Sequence, residues 1–505
     1  MLLGIDLGTT RTLVAAADRG NFPVVGFLDD DGELHEHLPS VVAAVDGRLV
    51  YGLDAVAAAQ DGAPLLRSFK RLLASRDVHG DQPVRIGEVE LPLLELLTGF
   101  VGAVRDAVLH KSNAPQKKND AALTAAVAVP AHAHAAQRFL TLEAFKRAGF
   151  DVKAMIHEPS AAGLEYTHRQ PQSLSSKRTR VVVYDLGGGT FDASLVRVDG
   201  FHHEVLASAG LNRLGGDDFD DALLSCALKQ KKIDRSSLSP SMVDALRETC
   251  REAKERLTPQ AKKLALDFSA QGLGELSVPV DAFHAAATPL VEQTLQAMQP
   301  LLGDLDGDPM ADVAGVYLVG GASGLPLVPR LLKDRFGRRV FRSPYPAAST
   351  AIGLAIGVSD EVGFTLKDRF SRCLGVFRER DAGRALRFDT IFDPNKTLPP
   401  AGESVIVARR YRARHNVGHF RYVECTRVDG GGDPVGDVVP VGDILFPFDP
   451  DLRDHDGLAD VAVQRTDPGP EIEESYRIDP AGLVEVKITD LARGFSRQFQ
   501  LGSSA

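Results

Sequence analysis

Two segments of the 505-residue chain carry residue types suited to phosphate chemistry. GIDLGTTRTLVAAADRG (4–20) and YDLGGGTFDASLVRVDG (184–200) each place an aspartate at a strand end, then a Gly/Thr turn, then a second strand. Glycines in such a turn let backbone N–H groups approach phosphate oxygens with no Cβ in the way. Gly8 in the first turn and Gly187, Gly188 and Gly189 in the second are the candidate cradle, and Thr9, Thr10 and Thr190 add hydroxyl donors. Asp6 and Asp185 would repel a phosphate directly. They make sense as ligands to magnesium-bound water, with the ion bridging carboxylate and phosphate. A third turn, Gly320-Gly321-Ala322, follows an apolar strand and reads as a contact from the second half of the fold. Gly215 and Gly216 precede a helix whose start is favoured by Asp217 or Asp218. One such turn alone is equally an ordinary tight hairpin. Two related turns about 180 residues apart, with a Gly-Gly turn besides, point to two similar lobes facing one cleft. No GxxxxGK[ST] loop and no dinucleotide fingerprint occurs.

Regular elements must hold these turns. Residues 1–17 read as strand, turn and returning strand, and 38–52 continue the β character. LLELLTGFVGAVRDAVLH (93–110) has helical spacing. AALTAAVAVP (121–130) is a buried strand ended by Pro130, and 135–150 is a helix that stops near Gly149. Two β runs flank the turn within 180–200, and a mostly helical stretch runs from Phe219 to about Leu257. A further helix spans about Asp281 to Leu302, and 315–337 is strand, glycine turn, helix. Residues 110–120 and 171–179 read as loops. After about Asp360 the helical patterns vanish, and short runs such as SVIVARRYRA (404–413) and LVEVKIT (483–489) predict an all-β domain. This divides the chain into an α/β nucleotide-binding domain (1–360), a linker (361–378) and a β domain (379–505). The Pro-, Gly- and Asp-rich span 432–457 reads as a long loop over the sheet.

Composition narrows the class. With 44% hydrophobic and 25% charged residues the chain is neither fibrous nor disordered. A net charge of -10 advertises no basic face, so no nucleic acid partner is expected. MLLGIDLGTTRTLVAA lacks a basic n-region and is broken by Asp6, which reads as strand and turn rather than a signal peptide. No apolar run reaches the roughly 18 residues of a membrane span. The four cysteines match no CxxC pattern and suggest reduced thiols in a cytoplasmic protein. His132 and His134 lack further ligands and read as surface or helix-start residues.

The chain resembles the 70-kDa heat-shock chaperone family, the DnaK-type proteins, over nearly all of residues 1–360. GIDLGTT, FKRLL (69–73), AVAVPAHAHAAQR (126–138), IHEPSAAGLEY (156–166), VVYDLGGGTFDASL (182–195), RLGGDDFD (213–220), REAKERL (251–257) and LVGGASGLPLVPRLLKDRFG (318–337) stand in the family's order. The resemblance implies an actin-like, two-lobed domain that binds ATP or ADP with Mg2+ and hydrolyses ATP slowly. It implies that Lys70 reaches the γ-phosphate, and that Glu158, Asp185 and Thr190 orient water and phosphate. It gives Asp6 and Asp185 a magnesium-side role, and places Lys254 and Thr258 near ribose and base. Pro130 and Arg138 match residues that couple nucleotide to the second domain. Residues from about 378 to 501 resemble, more distantly, the family's β-sandwich peptide-binding domain.

Several positions depart from the family. Arg251 stands where many members have glutamate, Gly324 replaces an arginine that flanks the adenine face, and Ala347 replaces a common aspartate. Arg11 follows the GTT turn where Tyr or Asn is common, and Arg369 and Arg372 intrude into the linker. The chain ends at Ala505, so no helical lid is expected. The leading expectation is an ATP-dependent chaperone for unfolded or specific peptide segments, with a J-domain co-chaperone and a nucleotide-exchange factor as partners. The alternative is a nucleotide-binding scaffold for a dedicated protein partner, with little or no hydrolysis.

Overall fold

The computed structural model describes residues 1–115, 123–170, 174–175, 177–302, 310–394 and 396–503. Parts of the expected loops 110–120 and 171–179 lie outside them. Two mixed sheets repeat one plan. In the first, the hairpin Leu2–Leu7 and Arg11–Ala16 pairs its first strand, in parallel, with Thr124–Val129. In the second, the hairpin Arg180–Leu186 and Phe191–Asp199 pairs its first strand, in parallel, with Val313–Val319. Each parallel partner is an apolar run buried on both faces, as a covered parallel strand must be. The duplicated sequence unit is thus a duplicated structural unit, and each hairpin ends its turn at the face between the lobes.

Two helices, Glu158–Arg169 and Ser349–Val358, pack against each other between the sheets. They approach so closely that a Cβ on Gly353 would stand 1.8 Å from the Ala161 carbonyl oxygen. Backbone cannot yield as a side chain does, so Gly353→Ala is expected to cost about 1–3 kcal/mol or more, checked by urea unfolding. The outer part of the second lobe is built from Gly216–Lys231, Pro240–Glu255 and the hairpin Lys263–Phe268 with Gly274–Pro279. The helix Leu93–His110 has the bounds its spacing predicts. Among the described residues no helix is long and apolar enough to cross a membrane.

The C-terminal part is a sandwich of two four-stranded sheets. One runs Ala385–Phe392, Cys373–Arg380, Val417–Cys425, Val439–Pro447, and the other Val405–Arg412, Glu471–Ile478, Val484–Asp490, Ser496–Gln500. Their inward residues, among them Leu374, Phe420, Ile444, Ile472, Tyr476 and Val486, form one core. The span 432–457 is not the long loop expected. It carries the strand Val439–Pro447, which pairs along Val417–Cys425. Pro440 is tolerated there because the strand lies at the sheet edge, and Val439, Val441, Ile444 and Phe446 fill the core side.

The segment 361–378 is ordered by contacts on both sides. Thr365–Lys367 adds a parallel strand to the second lobe beside His202–Leu211. The Asp368 carboxylate pairs with the His157 ring at 3.0 Å, and Arg369 with Glu204 at 2.9 Å. Arg372 is buried and donates to the Asp437 side chain at 3.2 Å. The two arginines that break the family's linker pattern are therefore both engaged.

Candidate functional site

Sequence spacing gives each glycine turn its shape, and the lobes set the turns tip to tip. A Cβ on Gly188 would lie 2.8 Å from Thr10, and one on Gly189 would lie 2.8 Å from Thr9. Beside them opens a cavity of about 330 Å³ walled by both lobes. Asp6, Gly8, Thr9, Thr10, Lys70, Glu158, Asp185, Gly187, Gly188, Thr190, Gly216, Lys254, Gly320 and Gly321 all line it. Gly189 and Gly215 back the wall without lining it, and Thr258 is exposed outside it. Gly320 has φ of +82°, and a Cβ there would meet the Asp185 carboxylate at 2.4 Å. Glycine is required at that position for the aspartate to keep its place.

One end of the cavity is a concentrated charge site. Lys70 begins no long helix; it sits in the 3₁₀ turn Phe69–Ala74 and is 6% exposed. Its ammonium donates to Glu158 at 2.7 Å. Burial opposes the charge on Lys70, and the Glu158 and Asp6 carboxylates more than offset it, so its pKa is raised. Around this ammonium stand Asp6, Glu158, Asp185 and Asp192, all buried or nearly so. Burial and then the Glu158 charge push Asp6 up to about 7. The same two causes push Asp192 up to about 7, although it accepts the Ala131 N–H at 2.9 Å. Asp185 is raised well above its ordinary value, first by burial and then by Glu158. One oxygen of Asp6 is buried without a hydrogen-bond partner. Such a cluster lacks positive charge, and its hard oxygen donors fit Mg2+ held through carboxylates and water.

A pH dependence follows. Unfolded, Asp6 and Asp192 ionise near the ordinary value of 3.8, whereas in the metal-free fold they stay protonated to about 7. Because the folded pKa values are raised, the unfolded chain releases these protons first, and stability falls as pH rises from about 4 to about 7. Calorimetry in EDTA is expected to give a lower Tm at about pH 8 than at about pH 6. Asp6→Asn should narrow that gap.

The lobes are clasped across the cleft. Ser68 donates to Asp217 at 2.9 Å, Arg71 reaches Asp217 at 3.4 Å, Arg67 reaches Glu248 at 3.4 Å and Arg11 reaches Glu255 at 2.5 Å. In every one of these pairs the first lobe donates and the second accepts. The acceptors of this clasp are shared: Arg251 is taken up by Asp217, Asp220 and Glu248, and Lys254 by Asp220 at 2.6 Å.

Sequence reasoning missed Asp192, Asp217, Asp220 and Arg342 as site residues. Asp192 was findable, since it stands directly opposite Asp185 in the hairpin register. His132 and His134 are buried rather than on the surface. His134 does serve the helix start, its Nδ1 accepting the Gln137 N–H at 3.3 Å.

A family model described as Hsp70 protein matches residues 101–385 of this chain. Among curated relatives, the chaperone protein HscA homolog of Burkholderia multivorans is 35% identical over 372 residues, covering 70% of this chain and 58% of that protein. The HscA homolog of Pseudomonas putida is 34% identical over 368 residues, covering 70% of this chain and 57% of its own length. That of Colwellia psychrerythraea is 34% identical over 373 residues, covering 71% and 58%. The chain thus spans less than three-fifths of the length of these relatives.

Proposed function

We propose a function from one premise: this chain belongs to the Hsp70 family. The chain is an ATP-dependent chaperone whose two-lobed domain binds ATP or ADP with Mg2+ in the cleft. Hydrolysis there alters how the β-sandwich engages unfolded or extended peptide segments. The observation that carries this reading is the meeting of the two glycine turns beside the Lys70–Glu158 pair and the aspartates Asp6, Asp185 and Asp192. Asp6 and Asp185 are the groups to hold Mg2+ through its waters, and the bound ion supplies neutralising charge to the phosphates.

The chain's own residues do the rest. The Gly8 and Gly187 N–H groups close their own turns, on the Asp6 and Thr190 carbonyls, and the Gly188 N–H with the hydroxyls of Thr9, Thr10 and Thr190 orients the phosphates. Lys70 places a buried cation where charge develops on the transferred phosphoryl group. Glu158 and Asp185 orient the attacking water. The lobe clasp excludes solvent, and the set needs no covalent intermediate. A J-domain co-chaperone and a nucleotide-exchange factor are the partners this cycle calls for.

A second reading, a nucleotide-binding scaffold with little turnover, is favoured by one observation. The sandwich is tied to the first lobe by a fully buried ion cluster, in which Arg138 reaches Glu424 at 2.5 Å and Arg372 reaches Glu424 at 3.4 Å. Single-turnover hydrolysis of ATP with Mg2+ separates the two. Turnover by the intact chain, largely lost in Thr190→Ala, supports the chaperone cycle. Tight binding of ATP without turnover supports the scaffold.

A further inference from the structure

The cavity is not lined by charge alone. Ala322, Leu325, Leu257 and Ala347 give it apolar walls. Three of the four cations that line it besides Lys70 are already neutralised: Arg11 by Glu255, Arg251 by Asp217, Asp220 and Glu248, and Lys254 by Asp220. The fourth is Arg342. It ends the short strand Val340–Arg342, which pairs in parallel with Val316–Leu318. Its side chain lines the cavity, and among the described residues it makes no ion pair.

Arg342 also explains a glycine. A Cβ on Gly324 would come within 2.8 Å of the Arg342 Nη2 atom. The guanidinium therefore lies over the Gly324 backbone, in space that any side chain at position 324 would take. A planar, unneutralised cation at the edge of apolar walls is suited to the face of a heteroaromatic ring. The glycine turns and Lys70 line the same cavity, so one ligand can meet both.

We propose that Arg342 flanks the base of a nucleotide bound in this cleft, and that Gly324 is what admits it there. The adenosine end is rebuilt from a neighbouring strand rather than eroded. This inference rests on the reading of the cleft as a nucleotide site, and it names a residue that selects the base rather than one that acts on phosphate.

Calorimetric titration with ADP and, separately, with inorganic pyrophosphate, both with Mg2+, tests it on the full chain. Arg342→Ala is expected to weaken ADP by about 5- to 30-fold and to leave pyrophosphate unchanged, the range set by an exposed to a desolvated cation–π contact. Arg342→Lys keeps the charge but loses the plane, and should recover only part of the ADP affinity. Gly324→Ala should weaken ADP in the same direction by displacing the guanidinium. Unpaired and exposed, Arg342 can be replaced without loss of fold, which an unchanged melting temperature would confirm. Wild-type ADP affinity in Arg342→Ala overturns the proposal while leaving the nucleotide site standing. So does a parallel loss of ADP and pyrophosphate, which would make Arg342 a phosphate ligand. Binding of neither probe by the intact chain overturns both the proposal and the nucleotide reading.

Discussion

Lys70→Met is expected to slow single-turnover hydrolysis of MgATP by about 10²–10³-fold, the usual effect of removing one preorganised group that stabilises transition-state charge. Among the described residues Lys70 is the one lysine or arginine that pairs within the group Asp6, Glu158, Asp185 and Asp192, and its 2.7 Å contact to Glu158 fixes the ammonium in the cavity wall. The same substitution strands a buried carboxylate, so some loss of stability comes with it, about 3–5 kcal/mol where an unpaired buried charge is left. The double variant Lys70→Met, Glu158→Gln removes both charges, and because Glu158 itself orients water it is compared with Glu158→Gln alone. It should regain most of the stability yet hydrolyse more slowly than Glu158→Gln. If the double variant hydrolyses as fast as Glu158→Gln, Lys70 has only a structural role. Rapid-quench measurement of product, with a urea unfolding curve for each variant, reads both quantities.

Glu424→Ala is expected to be the most destabilising single change at the boundary between the lobes and the sandwich. Glu424 is 0% exposed; one oxygen accepts from Arg138 at 2.5 Å and the other from the Ala135 N–H at 2.9 Å. Arg372 stands 3.4 Å away and is itself buried, as is Arg138. Removing the carboxylate leaves two guanidinium groups with no shared counter-charge and a helix-start N–H with no acceptor. The expected cost is about 3–5 kcal/mol. In scanning calorimetry the cost should appear as a split: the sandwich and the two-lobed domain melting apart where the intact chain melts more cooperatively. Glu424→Gln keeps an acceptor and should fall between. An unchanged transition in Glu424→Ala would mean that these buried ions do not hold the two parts together.

The local elements were legible because their signals are local. The helix Leu93–His110 is announced by apolar residues at helical spacing, and the two Gly/Thr hairpins by an aspartate, glycines and a threonine in a short run. What stayed hidden depends on residues far apart in the chain. The Arg11–Glu255 contact joins positions 244 residues apart, and the Arg138–Glu424 contact joins positions 286 apart. No spacing rule reaches that far; the topology brings them together. Arg251 shows the same limit, since in the sequence it is only a departure from the glutamate that many family members have. Its guanidinium instead compensates Asp217, Asp220 and Glu248. The strand Val439–Pro447 was hidden for another reason. Its proline and glycine mimic a loop, and only a place at the sheet edge makes them acceptable in a strand.

The central claim is that the cleft between the two hairpins is a magnesium-dependent nucleotide site, and calorimetric titration of the intact chain with ATP tests it most directly. With Mg2+ present, saturable binding of one nucleotide per chain is expected, strongly weakened by EDTA and by Asp185→Asn. Saturable binding that ignores both would place the nucleotide elsewhere, and the absence of binding by ATP or ADP under any of these conditions would contradict the account.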